Sequence, residues 1–222
     1  MPDLWIDLLP VLLAMMVSPA RTLAVILLLH TPRTAMTALG YVAGMISSML
    51  LQGAALGAGM RLIGLSSPSG ELTTVVGVLY LVGGVILLAG AFKIATAEGA
   101  GGSLASLLDR LERLEPAGAY KVGFGWLMAS PKQWVFVLTA VAVIFAAGLR
   151  PIGSLANFFV FTLLVQGAYL LIILAFAVAR DRVGSALDAV FGWIKGHLRA
   201  TAIGVFAGFG MLFLLKGLST LG

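Results

Sequence analysis

The sequence predicts an all-α integral membrane fold of six transmembrane helices, arranged as two inverted three-helix repeats. Three observations lead there. Six apolar stretches are each long enough to cross a ~30 Å hydrocarbon core at about 1.5 Å per helical residue. Carboxylates are missing from those stretches: none occurs between Asp7 and Glu71, between Glu71 and Glu98, between Glu115 and Asp181, or after Asp188. A short pattern also recurs once per half. Ser18-Pro19-Ala20-Arg21 and Ser130-Pro131-Lys132-Gln133 lie 112 positions apart in a chain of 222 residues.

The first span, about 4–29, follows an N-terminus with Asp3 and Asp7 where a secretory leader would carry basic residues, so no cleavable signal peptide is expected. This span holds Ser18-Pro19. The second, about 35–59, holds Gln52-Gly53-Ala54, and the third, about 73–95, carries Gly77, Gly83, Gly84 and Gly90. The fourth, about 122–147, holds Ser130-Pro131. The fifth, about 154–179, holds Gln166-Gly167-Ala168, and the sixth, about 200–220, carries Gly204, Gly208, Gly210 and Gly217. The order of Ser-Pro helix, Gln-Gly-Ala helix and glycine helix therefore occurs twice, with Ser-to-Gln separations of 34 and 36 residues. This divides the chain into a first repeat at 1–95, a linker at 96–121 and a second repeat at 122–222. Gly40 and Gly44, Gly53 and Gly57, and Gly204 and Gly208 have the small-xxx-small spacing of helix-packing faces.

Two segments between spans are amphipathic. In the linker, Leu104, Leu107, Leu108, Leu111 and Leu114 follow helical spacing, and Asp109 can pair with Arg113 one turn on. In 181–199, Val183, Leu187, Val190, Phe191, Ile194 and Leu198 form one face. Both are expected to lie in the membrane interface, where they could also gate a cytoplasmic opening. Basic residues orient the bundle. The side holding the loops after spans one, three and five has Arg33, Lys93, Arg110, Arg113, Lys121, Arg180, Arg182, Lys195 and Arg199. The opposite side has Arg61, Arg150 and Lys216. Nine against three makes the first side cytoplasmic and both termini extracytoplasmic.

Composition excludes several chemistries. Residues are 60% hydrophobic and 10% charged, against about 25% charged in soluble domains. With no cysteine, disulfides, thiol relays and thiolate metal sites are ruled out. His30 and His197 are both expected in loops, so no metal site is anticipated. The net charge of +5 fits topology and anionic lipid headgroups better than nucleic acid. No Gly-rich phosphate loop is present, and no acid pair or nucleophile constellation exists; neither an enzyme nor a cofactor is expected.

The candidate site is the doubled motif. A proline within a span frees a backbone carbonyl, which needs a partner or a water-lined cavity, and the preceding serine can bond the backbone or a ligand. Paired interruptions in two halves are the sequence pointer to a transport site, here Ser18 and Pro19 with Ser130 and Pro131. Arg21 and Lys132 sit beside them. A cation at mid-membrane costs about 2.5–3.5 kcal/mol, and no membrane carboxylate neutralises either one; snorkelling or an anionic ligand would. Gln52 and Gln166 either join helices or orient a headgroup. Gln133 and Asn157 are weaker candidates placed nearer an interface. Tyr41, Tyr80, Tyr169, Trp5, Trp126 and Trp134 read as belt or packing residues.

Two stretches carry a family resemblance. Leu13-Ala14-Met15-Met16-Val17-Ser18-Pro19-Ala20-Arg21 is similar to a first-helix motif of the GAP branch of the LysE superfamily of small exporters. That branch comprises the peptidoglycolipid and sulfolipid addressing proteins. Gly123-Phe124-Gly125-Trp126-Leu127, continuing to Ser130-Pro131-Lys132, resembles its fourth-helix motif. The resemblance covers nearly the whole chain. It implies secondary transport, and for this branch the export or surface placement of envelope glycolipids. Relatives that move divalent cations would need acidic membrane residues, and thiol-relay relatives paired cysteines; this chain has neither.

The expected function is thus a flippase-like exporter of an anionic amphiphile, an envelope glycolipid or lipid-linked precursor. Arg21 and Lys132 would hold the headgroup, and Ser18, Ser130, Gln52 and Gln166 would orient it. Two rivals stand beside it: an exporter of a small amino acid or inorganic anion, and a non-transporting scaffold of an envelope export complex. Membrane lipids are the expected partners. The glycine faces would serve a homodimer as well as an intramolecular contact, and an envelope-export partner could supply the drive.

Overall fold

The computed structural model describes residues 2–29, 34–65, 67–96 and 114–222. Its described residues are helical with connecting turns: α1 (Pro2–Met16), α2 (Pro19–Leu29), α3 (Thr34–Leu62), α4 (Gly70–Thr96), α5 (Pro116–Met128), α6 (Pro131–Ala146), α7 (Pro151–Val178) and α8 (Arg180–Leu221). Proline starts five of these helices. At the first helical position its missing N–H costs nothing, and its φ is already helical. Gly64 and Gly148, with φ of 80° and 65°, end the turns after α3 and α6 in the left-handed conformation that side chains resist.

Four helices, α3, α4, α7 and α8, are long and apolar enough to cross a membrane by themselves. Two bent pairs, α1 with α2 at 55° and α5 with α6 at 74°, bring the number to six if each pair is one span. The chain is a multi-pass membrane protein. Its amphipathic linker segment, 103–115, lies outside the described residues except for its last two positions.

Glycine sets how the helices meet. A side chain on Gly84 would press on the Gly210 carbonyl at 2.9 Å, and one on Gly217 on the Gly77 carbonyl at 3.0 Å. These two contacts, seven residues apart on each helix, run α4 antiparallel to α8 with their backbones nearly touching. Gly40 and Gly44 on α3 meet the Pro116 and Tyr120 carbonyls of α5, so α3 and α5 run side by side in the same direction. Gly53 packs on the Phe158 ring and brings α3 against an antiparallel α7. Gly204 and Gly208 depart from the expectation: nothing lies within 4 Å of a side chain built on either one, and the packing glycines of α8 are Gly210 and Gly217.

The end of the bundle bearing the termini is tied by an ion pair. Lys216 Nζ on α8 lies 2.7 Å from Asp7 Oδ1 on α1, with both side chains partly exposed. Tyr80 on α4 donates its hydroxyl to the Asp7 carbonyl. At the other end Arg199 donates to the Ala95 carbonyl and holds α8 to the last turn of α4. The amphipathic segment 181–199 is helical up to a kink that divides it from the last span. It runs into the last span as α8, which bends at His197 (φ −117°, ψ 15°), so this histidine sits at a kink instead of in a loop.

Candidate functional site: two broken helices

Pro19 and Pro131 behave differently from kinks inside a continuous helix. Each opens a new helix, and the break lies just before it, at Val17-Ser18 and Ala129-Ser130. A proline ring displaces the carbonyl four residues back, which is Met15 for Pro19 and Leu127 for Pro131. Other carbonyls in the last turn of the preceding helix also lose their helical N–H donors. In hydrocarbon these carbonyls need donors from elsewhere in the protein.

Side chains supply them at both breaks. Arg21 Nη2 donates to the Met15 carbonyl at 2.7 Å, and the Tyr169 hydroxyl to the Met16 carbonyl at 3.1 Å. Gln52 Nε2 donates to the Leu127 carbonyl at 3.1 Å, and Trp134 Nε1 to the Met128 carbonyl at 2.8 Å. Each break thus receives one donor from the helix that follows it and one from a distant helix, α7 for the first and α3 for the second.

The electrostatics centre on Arg21, which is only 4% exposed. Its guanidinium carbon stands 6.0 Å from the Tyr169 ring centre, and its Nη1 has no hydrogen-bond partner among the described residues. Lys132, half-buried, rests its ammonium 4.4 Å from the Phe206 ring centre on α8 and lies within Coulombic reach of Arg21. Neither cation has a carboxylate within ion-pair distance among the described residues. Around them, Tyr41 Oη, Gln52 Oε1, Gln133 Nε2 and Gln166 Oε1 are buried and without partners among the described residues. Gln166 makes one weak contact, Nε2 to Met49 Sδ at 3.8 Å. Ser130 caps α6 by position with no side-chain bond, while the Ser18 carbonyl accepts from the Thr22 hydroxyl at 3.1 Å.

Of the sequence candidates, Arg21, Gln52, Pro19 and Pro131 therefore act directly on the breaks, and Lys132 flanks them. Tyr169 and Trp134 bond to carbonyls at the breaks, a role that the reading as belt or packing residues misses. Tyr169 follows Gln166 by three residues, on the same helix face, and Trp134 lies one turn after Ser130. Gln133 is buried in the bundle. Asn157 bonds its own helix, to the Gly153 carbonyl at 2.9 Å.

Residues 8–219 match the family described as Sap, sulfolipid-1-addressing protein, and the chain belongs to that family. No curated protein and no solved structure matches it.

Proposed function

We propose that this member of the sulfolipid-1-addressing protein family is a flippase-like exporter of an anionic envelope lipid, with its headgroup site between the two broken helices. The observation that carries the reading is Arg21. It is buried and uses one terminal nitrogen to seal the first break, leaving the other unpartnered beside a second cation. An uncompensated buried charge is costly, and an arriving sulfate, phosphate or carboxylate supplies the missing counter-charge together with acceptors for Nη1. The N-termini of α2 and α6 begin at the same breaks, and their dipoles favour the same sign of ligand. Gln52, Gln133, Gln166 and Tyr41 offer the donors and acceptors that a sugar-bearing headgroup uses. The site's cations and amides suit binding and release of a headgroup, so the reading is translocation.

The architecture we propose is six spans in two inverted repeats, each led by a broken helix. Its support is that packing partners recur: α3 lies on α5 and α7 on α1, α4 on α6 and α8 on α2, with α3–α7 and α4–α8 pairing the halves. We place the protein in a bacterial inner membrane, with both termini outside.

Translocation is measurable in proteoliposomes holding a fluorescent phosphatidylglycerol or phosphatidylcholine, by bleaching from outside. Arg21→Gln is expected to slow movement of the anionic lipid tenfold or more, while Gly208→Ala, which touches nothing, keeps the wild-type rate. Equal rates in wild type and Arg21→Gln, at matched protein levels, would sink the headgroup role.

A further inference from the structure

Between α3, α6 and α7 lies a second feature, a cleft of about 780 Å³. Its walls are apolar, from Val141, Ile144 and Phe145 on α6 to Phe158 on α7. Ala54, Ala58, Leu155 and Phe159 line it and are exposed, so the cleft opens sideways on the outer face of the bundle. It runs along α3 from Leu50 and Gly53 to Arg61 and Leu62. Twelve residues of helix rise are about 18 Å, on the order of one leaflet of a ~30 Å hydrocarbon core. Its inner end abuts the broken helices, because Gly53 follows Gln52, the donor to Leu127. Its outer end carries one cation, Arg61, whose guanidinium carbon stands 5.6 Å from the Phe145 ring centre and which has no ion-pair partner among the described residues. Glycine keeps the cleft clear: a side chain on Gly57 would point into it, with only the Phe145 ring at 3.6 Å and Val141 at 3.8 Å near its first carbon.

Among the described residues, Ser154 and Arg61 are the only polar side chains lining the cleft, too few partners to hold water throughout a space that opens to hydrocarbon. Acyl chains fill it. The lone cation at the outer end selects among lipids by headgroup charge. We propose that this cleft is a lateral lipid site which takes the acyl chain of an anionic lipid, with the headgroup on Arg61, and so forms the tail track between the buried break site and the leaflet on the terminal side of the bundle. The inference rests on the lipid-export reading for its direction of use, but not for its occupancy.

Occupancy is tested in nanodiscs of phosphatidylcholine with a minor fraction of phosphatidylglycerol, one lipid at a time carrying a photoreactive diazirine in its acyl chain. In wild type, adducts should concentrate on Ala54, Ala58, Leu155 and Phe159, with phosphatidylglycerol enriched about fivefold, the bias of one basic side chain at a membrane surface. Gly57→Leu, or Ala58→Trp should the first fail to fold, should remove those adducts and spare those on the outward Val78 and Val85 of α4. Arg61→Gln should bring the two lipids to parity. Adducts spread evenly around the perimeter, parity already in wild type, or adducts that survive both filling variants would overturn the proposal. The map needs no translocation. A filled cleft with unchanged translocation in Arg21→Gln defeats only the export reading; an empty cleft with Arg21-dependent translocation defeats only the tail track.

Discussion

At the residue scale, the account turns on what happens to four carbonyls. The breaks take helical partners from Met15, Met16, Leu127 and Met128, and each has a side-chain donor, Leu127 in addition to a backbone bond of 3.3 Å from Ser130. Two of those donors were legible in advance. Arg21 and Gln52 are polar residues in spans with no other reason to be polar. Tyr169 and Trp134 were not, because an aromatic residue with a polar tip is common at membrane interfaces and its sequence does not say which way the tip points. Their roles predict a matched pair of effects. Tyr169→Phe removes only the hydroxyl over Met16, and Trp134→Phe removes the indole N–H over Met128. Each should lower stability by about 1 kcal/mol, within the range measured for interhelical bonds in membranes. The check is unfolding in mixed micelles. A loss from only one of the two variants would show that the breaks are not equivalent in construction.

At the scale of elements, glycine decides which helices touch and which face lipid. The spacing of small residues marked candidate faces in the sequence, and Gly40, Gly44 and Gly53 indeed lie at close approaches. Spacing alone could not separate Gly204 and Gly208 from Gly210 and Gly217, since all four recur at helical intervals and only the partner helix distinguishes them. The distinction is measurable. Gly84→Ala puts a carbon 2.9 Å from the Gly210 carbonyl and forces α4 and α8 apart, so we expect a loss of about 1–3 kcal/mol. Gly208→Ala meets nothing and gains helix propensity, so stability should hold or rise by up to about 1 kcal/mol. Thermal unfolding of the two variants side by side gives the answer; equal losses would contradict the packing. The direct junction between segment 181–199 and the last span was also hidden. Gly196 stands just before His197, whose non-helical dihedrals divide the two helices with no loop between them.

At the scale of the whole molecule, the all-helical membrane class and the positions of the two interruptions were readable because each rests on local chemistry: apolar length, absent carboxylates and proline. What joins the halves was not, since Gln52 reaches Leu127 and Tyr169 reaches Met16 across 75 and 153 residues. Orientation remains a prediction from charge, and the lack of cysteine makes it easy to probe. Gly222→Cys and Arg150→Cys should react with a membrane-impermeant maleimide on intact cells, and Lys195→Cys only after permeabilisation. The reverse pattern would invert the topology and place the cleft mouth at Arg61 in the cytoplasmic leaflet. The central claim, an anionic headgroup held by Arg21 with Lys132, is tested most directly by native mass spectrometry with lipid identification. Wild type and the Arg21→Ala, Lys132→Ala double variant would be purified side by side in mild detergent. The account predicts an anionic glycolipid or polyprenyl lipid retained by wild type and lost from the variant; the same bulk phospholipids on both would contradict it.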